Sequence, residues 1–222
     1  MADLIRGLDA GRIRENVAAV RSEIAAACRT SGRDPSTVEL VAATKYVAVE
    51  DLGVLAEAGL TLLGENRMQD LVAKHAAWPG RFTFDFIGHL QSRKVADVAP
   101  LVRCIHSVCS DSVLARLEQI GDRAPGLRVL VEVNIAGEPD KSGIALAELE
   151  RFLERCPVPV DGLMTMPPAT SDAHESRPWF GALAALARAH DLAHLSMGTT
   201  QDFAIAVEEG ATIVRVGSRL FR

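Results

Sequence analysis

Along most of this chain, short apolar runs alternate with stretches of helical periodicity. The first stretch is helical: Ile13, Val17, Val20, Ile24 and Cys28 recur every three or four residues, with Arg14, Glu15, Arg21 and Glu23 between them. The helix should stop near Ser31-Gly32, where a glycine can take the left-handed cap conformation, with Pro35 close behind. Eight apolar runs then follow as strand candidates: 38–43, 61–64, 82–87, 103–106, 127–133, 158–164, 193–197 and 211–216. The run at 82–87 is the most strand-like because it is rich in aromatics. The run at 127–133 is almost continuously apolar, as a strand covered on both faces should be. Pro159 has to sit where strand pairing begins, since it cannot donate to a ladder.

Helical stretches separate these runs, at 49–58, 67–75, after Gln91, and at 111–120, 146–155, 176–190 and 201–209. Alternating strand and helix implies a parallel sheet with right-handed crossovers. Eight such units without a strong linker favour a closed (β/α)8 TIM barrel over an open sheet. The expected architecture is therefore one α/β barrel domain over residues 1–222, with an extra N-terminal helix. The loop Pro167-Pro168-Ala169-Thr170-Ser171-Asp172 reads as a flexible connection and not as a domain boundary.

Composition narrows the functional classes. A net charge of −5 argues against a chain built to wrap nucleic acid, which normally carries an excess of Lys and Arg. No apolar run approaches the roughly 20 residues of a bilayer span, so no membrane segment is expected. The opening Met-Ala-Asp-Leu-Ile-Arg lacks a basic stretch followed by an apolar core, so a cytoplasmic setting without a secretory leader is expected. The four cysteines, Cys28, Cys104, Cys109 and Cys156, form no CxxC pair and show no zinc-site spacing. They read as buried reduced thiols, and no metal site is expected.

In a barrel, chemistry belongs at the C-terminal ends of the strands. Those ends carry Lys45, Asn66, His89, Ser107, Asn134, Met164, Ser196 and the run Arg215-Val216-Gly217-Ser218, so seven of the eight supply a polar side chain. Of the four lysines, Lys74, Lys94 and Lys141 fall on helices or a loop, whereas Lys45 emerges directly from a strand. A lysine there either snorkels to solvent or, if desolvated, offers an amine for imine chemistry. Two turns of small residues follow strands seven and eight, Ser196-Met197-Gly198-Thr199-Thr200 and Gly217-Ser218. They either simply end their strands or form the phosphate grip that recurs at this place in barrels. Arg215 interrupts an apolar strand, where it either closes an internal ion pair with Glu132 or Asp161 or donates to a ligand. His89 and Asn66 fit loop residues bonding to backbone as well as they fit ligand contacts.

Several short segments together resemble one family. They are Ala43-Thr44-Lys45, Gly64-Glu65-Asn66, the run Phe86-Ile87-Gly88-His89-Leu90-Gln91-Ser92-Arg93-Lys94, His106-Ser107-Val108, Val133-Asn134-Ile135, Lys141-Ser142-Gly143, Gly162-Leu163-Met164-Thr165, Leu195-Ser196-Met197-Gly198 and Val214-Arg215-Val216-Gly217-Ser218. They span nearly the whole chain after the first helix, and the Phe-Ile-Gly-His-Leu-Gln run is highly specific. The chain resembles the pyridoxal phosphate homeostasis proteins, whose barrel is similar to the N-terminal domain of alanine racemase. The resemblance implies pyridoxal 5'-phosphate (PLP) held as a Schiff base on Lys45. It also implies that Ser196, Gly198, Gly217 and Ser218 bind the phosphate, Arg215 faces the pyridine nitrogen, and Asn66 and Met164 line the ring. Ser218 stands where threonine is common, which keeps the hydroxyl, and Thr199-Thr200-Gln201-Asp202 replaces the more usual Met-Ser-Asp/Gly-Asp.

The same resemblance implies a non-catalytic role in intracellular PLP handling, with apo PLP enzymes as recipients. The residues give that role physical sense. A guanidinium stays protonated and donates to an unprotonated ring nitrogen, which makes the ring a poorer electron sink. Racemisation also needs an acid/base group on the second face of the substrate, and the one tyrosine, Tyr46, adjoins Lys45. The alternatives are an amino-acid racemase-like PLP enzyme and a phosphate-sugar barrel enzyme that uses Lys45 without a cofactor.

Overall fold

The computed structural model describes residues 4–222; residues 1–3, the start of the stretch scanned above for a leader, lie outside the described residues. Helix α1 (Ala10–Thr30) buries the expected stripe of Ile13, Val17, Val20, Ile24 and Cys28. It starts where the Asp9 carboxylate accepts the Arg12 N–H at 2.7 Å. It ends where Gly32 turns left-handed and Arg33 N–H returns to the Cys28 carbonyl at 2.8 Å.

Eight parallel strands close into a barrel in chain order. They are β1 (Glu39–Ala43), β2 (Leu62–Glu65), β3 (Thr83–Phe86), β4 (Cys104–Val108), β5 (Arg128–Glu132), β6 (Val160–Met164), β7 (His194–Thr199) and β8 (Ile213–Val216). Closure comes from β1 against β8, with Val41 opposite Arg215 and Ala42 opposite Val216. The outer helices are α2 (Leu52–Glu57), α3 (Met68–Ala77), α4 (Val95–Val98), α5 (Asp111–Ile120), α6 (Leu149–Glu154), α7 (Arg177–Ala189), α8 (Phe203–Glu208) and the terminal turn α9 (Ser218–Phe221). Several are shorter than the sequence pattern suggests: 49–58 contracts to Leu52–Glu57, and 146–155 divides into a 3-10 turn and α6. Pro159 lies just before β6, where its carbonyl accepts the Val129 N–H at 3.3 Å.

Strand alternation divides the apolar residues into two layers. Leu40, Ala42, Ile105, Val129, Val131, Leu163 and Val214 face the helices in the main core. Val41, Cys104, Leu130, Met164 and Ile213 form a separate cluster inside the barrel. Arg215 and His106 lie two residues beyond Ile213 and Cys104, so the same period of two turns them inward, one layer higher. The polar interior is thus a direct result of strand register. Cys28 and Cys104 are buried as expected, whereas Cys109 and Cys156 are only half-buried. No helix among the described residues is long and apolar enough to cross a membrane.

Candidate functional site

At the C-terminal ends of the strands a cavity of about 470 Å³ opens among Ala43, Lys45, Tyr46, Asn66, Ile87, Gly88, Met166, Thr199, Thr200, Gln201, Arg215, Gly217 and Ser218. Five of the eight residues singled out from the sequence meet there: Lys45, Asn66, Arg215, Gly217 and Ser218. Lys45 stands exposed two residues beyond β1, its ammonium 4.9 Å from the centre of the Tyr46 ring. The desolvation considered for it is therefore absent, because the side chain reaches past the strand end into an open mouth.

The backbone beneath Lys45 is held by a buried clamp. Lys74 Nζ donates to the Thr44 carbonyl at 2.8 Å and to Glu65 Oε1 at 2.6 Å, and the Thr44 hydroxyl donates to the same oxygen. This ties the end of β1 to β2 and α3. Burial pushes the Glu65 carboxyl above its ordinary range, against the pull of Lys74. Asn66 follows directly on β2, and its amide oxygen is buried without a protein partner.

Arg215 is 5% exposed, and no carboxylate among the described residues touches it. Asp161 pairs instead with Arg128 at 3.1 Å, and Glu132 accepts from Ser142 at 2.5 Å, so the internal ion pair considered above is not formed. The guanidinium donates to neutral acceptors: the Ser196 carbonyl at 2.7 Å, the Ser196 hydroxyl, the Thr165 carbonyl at 3.0 Å and Met166 Sδ at 2.9 Å. Burial lowers it to about 10, so it remains charged at neutral pH.

Three sequence-derived assignments shift. Met164 packs inside the barrel at 2% exposure, because as the last residue of β6 it still obeys the inward period. Met166, beyond the strand, lines the cavity in its place. Ser196 is fully buried and points down the barrel interior, its hydroxyl between Arg215 and His106, so it lies off the cavity wall. Gly198 borders a neighbouring hollow with Thr199 and Gln201. Its φ of +89°, and the 2.5 Å separating a Cβ there from Ala206 Cβ, make it the residue that lets the β7 end press onto α8. The register of β7 on β8 slips between Ser196 and Thr199, a bulge that lifts Thr199 and Thr200 into the cavity wall.

His89 is exposed and off the cavity wall, Ser107 is buried and donates to the Gly88 carbonyl, and Asn134 closes its own loop onto Glu138. Met166 and Gln201 do not stand out in the sequence, and Thr199 and Thr200 do so only within the small-residue turn after strand seven. They lie at or beyond the strand ends, where strand periodicity no longer says which way a side chain points.

No family model matches the chain. A pyridoxal phosphate homeostasis protein of Aquifex aeolicus is 37% identical over 219 residues, 93% of this chain and 96% of that one. The chain belongs to the pyridoxal phosphate homeostasis protein family. A Pseudomonas aeruginosa homeostasis protein is 36% identical, covering 94% of each chain. Among solved structures, PipY of Synechococcus elongatus with PLP bound superposes with a TM-score of 0.79 at 31% identity, over 95% of this chain and 100% of that one.

Proposed function

We propose that this protein binds PLP in the strand-end cavity, as a Schiff base on Lys45, and handles the cofactor in the cytoplasm without turning over amino acids. Apo PLP enzymes are its recipients. The observation that carries this reading is the convergence of an exposed amine, a charged arginine without a carboxylate, and an amide oxygen without a partner around one hollow. Buried polar groups left unpaired by the protein are what a polar ligand completes.

The residues fit the cofactor on their own chemistry. At Gly217 a Cβ would lie 3.1 Å from the Ala43 carbonyl, so glycine keeps that turn open, and Ser218 adds a hydroxyl beside it. Backbone N–H and hydroxyl groups of this kind suit a phosphate. Asn66 offers its free amide end to the ring substituents. Arg215 presents donors and no proton-accepting group to the ring nitrogen. When bound, PLP would supply an electron sink, and a guanidinium that stays protonated at neutral pH would weaken that sink. Ionisable side chains on the described wall are Lys45, Tyr46 and Arg215. Tyr46 lies against Lys45, so it offers no acid/base group on the opposite face.

Absorbance of the purified protein with PLP, beside a Lys45→Ala control, tests the reading. A visible band present in the parent and lost in the variant is expected. Equal spectra would sink the covalent attachment, and chiral analysis showing alanine racemised by the parent would make the protein an enzyme instead.

A further inference from the structure

Arg215 is the upper end of a hydrogen-bonded chain that crosses the barrel interior. Its Nη1 donates to the Ser196 hydroxyl, and Ser196 Oγ lies 2.9 Å from His106 Nδ1. His106 Nε2 lies 3.2 Å from Asp85 Oδ2. Asp85 accepts from Arg103 at 3.1 and 2.8 Å, and Arg103 in turn grips Glu39 at 2.8 and 2.9 Å near the opposite end of the barrel. Ser196, His106 and Asp85 are each at most 1% exposed.

Proton bookkeeping leaves one consistent arrangement. A guanidinium can only donate, so Ser196 Oγ accepts from Arg215. The ionised Asp85 carboxylate can only accept, so Nε2 must hold the ring proton, and the serine proton is then free for the bare Nδ1 of the neutral ring. His106 therefore carries its proton on Nε2 and gives it to the Asp85 carboxylate. The opposite tautomer would set the bare Nε2 lone pair against the Asp85 carboxylate.

We propose that His106, with its tautomer fixed by Asp85, is a positioning residue for Arg215: it makes Ser196 an obligate acceptor and so holds the guanidinium facing the cofactor cavity. This rests on the reading that the cavity takes PLP. It also gives Ser196 a structural reason to be a serine other than contact with phosphate. The ionisation states agree. Burial lowers the affinity of His106 for a second proton, the Asp85 contact opposes this, and the charges of Arg215 and Arg103 reinforce it. Burial alone would raise the Asp85 carboxyl, but the His106 and Arg103 hydrogen bonds hold it below the ordinary range.

A double-mutant cycle on PLP affinity tests the proposal, with His106→Leu made in the parent and in Arg215→Met. In the parent, loss of the acceptor chain should weaken PLP about tenfold, the equivalent of one buried hydrogen bond. In the Arg215→Met background the same change should alter affinity less than about twofold. Equal weakening in both backgrounds, or none in either, overturns the proposal. Nitrogen-15 histidine spectra of the unsubstituted, PLP-free protein give a second readout that needs no folded variant. They should show His106 neutral with its proton on Nε2 from pH 6 to pH 8. A His106 that titrates in that range, or is protonated on Nδ1, overturns it as well. A parent that binds no PLP sinks the cofactor reading itself, and is told apart from a parent that binds PLP as tightly as His106→Leu.

Discussion

Replacing Arg215 with methionine should weaken PLP binding at least about tenfold, the loss of one buried hydrogen bond, while leaving the fold nearly as stable as before. The expectation follows from how the charge is housed. Burial lowers the guanidinium well below its ordinary range, to about 10. At about 1.4 kcal/mol per unit, that is about 3 kcal/mol against the charged form in the folded state. The sign is clear: the unfolded chain binds the proton more tightly, so this penalty is present in full at pH 7 and is relieved only as pH rises past about 10. Against it stand the hydrogen bonds to two carbonyls, a hydroxyl and a thioether, each contributing about 1 kcal/mol net, about 4 kcal/mol together. Methionine removes both the penalty and the bonds, so urea unfolding without PLP should change by less than about 2 kcal/mol. Removing one partner of a buried ion pair costs about 3–5 kcal/mol. A loss of that size would show Arg215 to be a structural ion, and unchanged PLP affinity in the variant would show that the guanidinium does not face the ring.

Ser218→Ala should weaken PLP retention by about 1–3 kcal/mol, and pyridoxal lacking the phosphate should bind the parent poorly. Equal affinity for the two vitamers by equilibrium dialysis would remove the Gly217-Ser218 turn as the phosphate site. Lys74→Met should destabilise the protein by about 3–5 kcal/mol in urea, because it leaves Glu65 buried without its cation, and adding Glu65→Gln should recover much of the loss. Since burial raises the folded Glu65 carboxyl, the Lys74→Met deficit should grow as pH rises through the carboxylate range and shrink at low pH; a pH-independent deficit would refute that origin. L-alanine incubated with the parent in deuterium oxide should show no α-proton exchange by NMR, and rapid exchange would contradict the non-catalytic reading.

The barrel was legible because each strand announced itself by a short apolar run and each helix by its spacing. All eight strands fall where those runs lie, with ends shifted by at most two residues. Lys45, Asn66, Arg215, Gly217 and Ser218 could be found because they sit at strand ends, the one place where fold alone assigns a direction to function. Ser196 and Met164 illustrate the limit. Both lie within strands whose period turns them into the barrel, and one residue of register separates the lumen from the rim. Met166 escaped, and Thr199 and Thr200 were legible only as members of a small-residue turn, because a loop and a register shift, neither of them periodic, bring them to the wall. The chain from Asp85 through His106 was hidden for another reason: its members lie on β3, β4, β7 and β8 and meet only once the barrel closes.

Borohydride reduction of the PLP-loaded protein, followed by peptide mapping, tests the attachment of the cofactor most directly. Reduction turns a Schiff base into a stable secondary amine, so the label records which lysine held the aldehyde. The four lysines make the outcome simple to read. The label should fall on Lys45, the lysine on the cavity wall, and pass over Lys74, which is already engaged by Glu65 and the Thr44 carbonyl. A label mainly on Lys74, Lys94 or Lys141 would contradict the placement of PLP at the strand-end cavity.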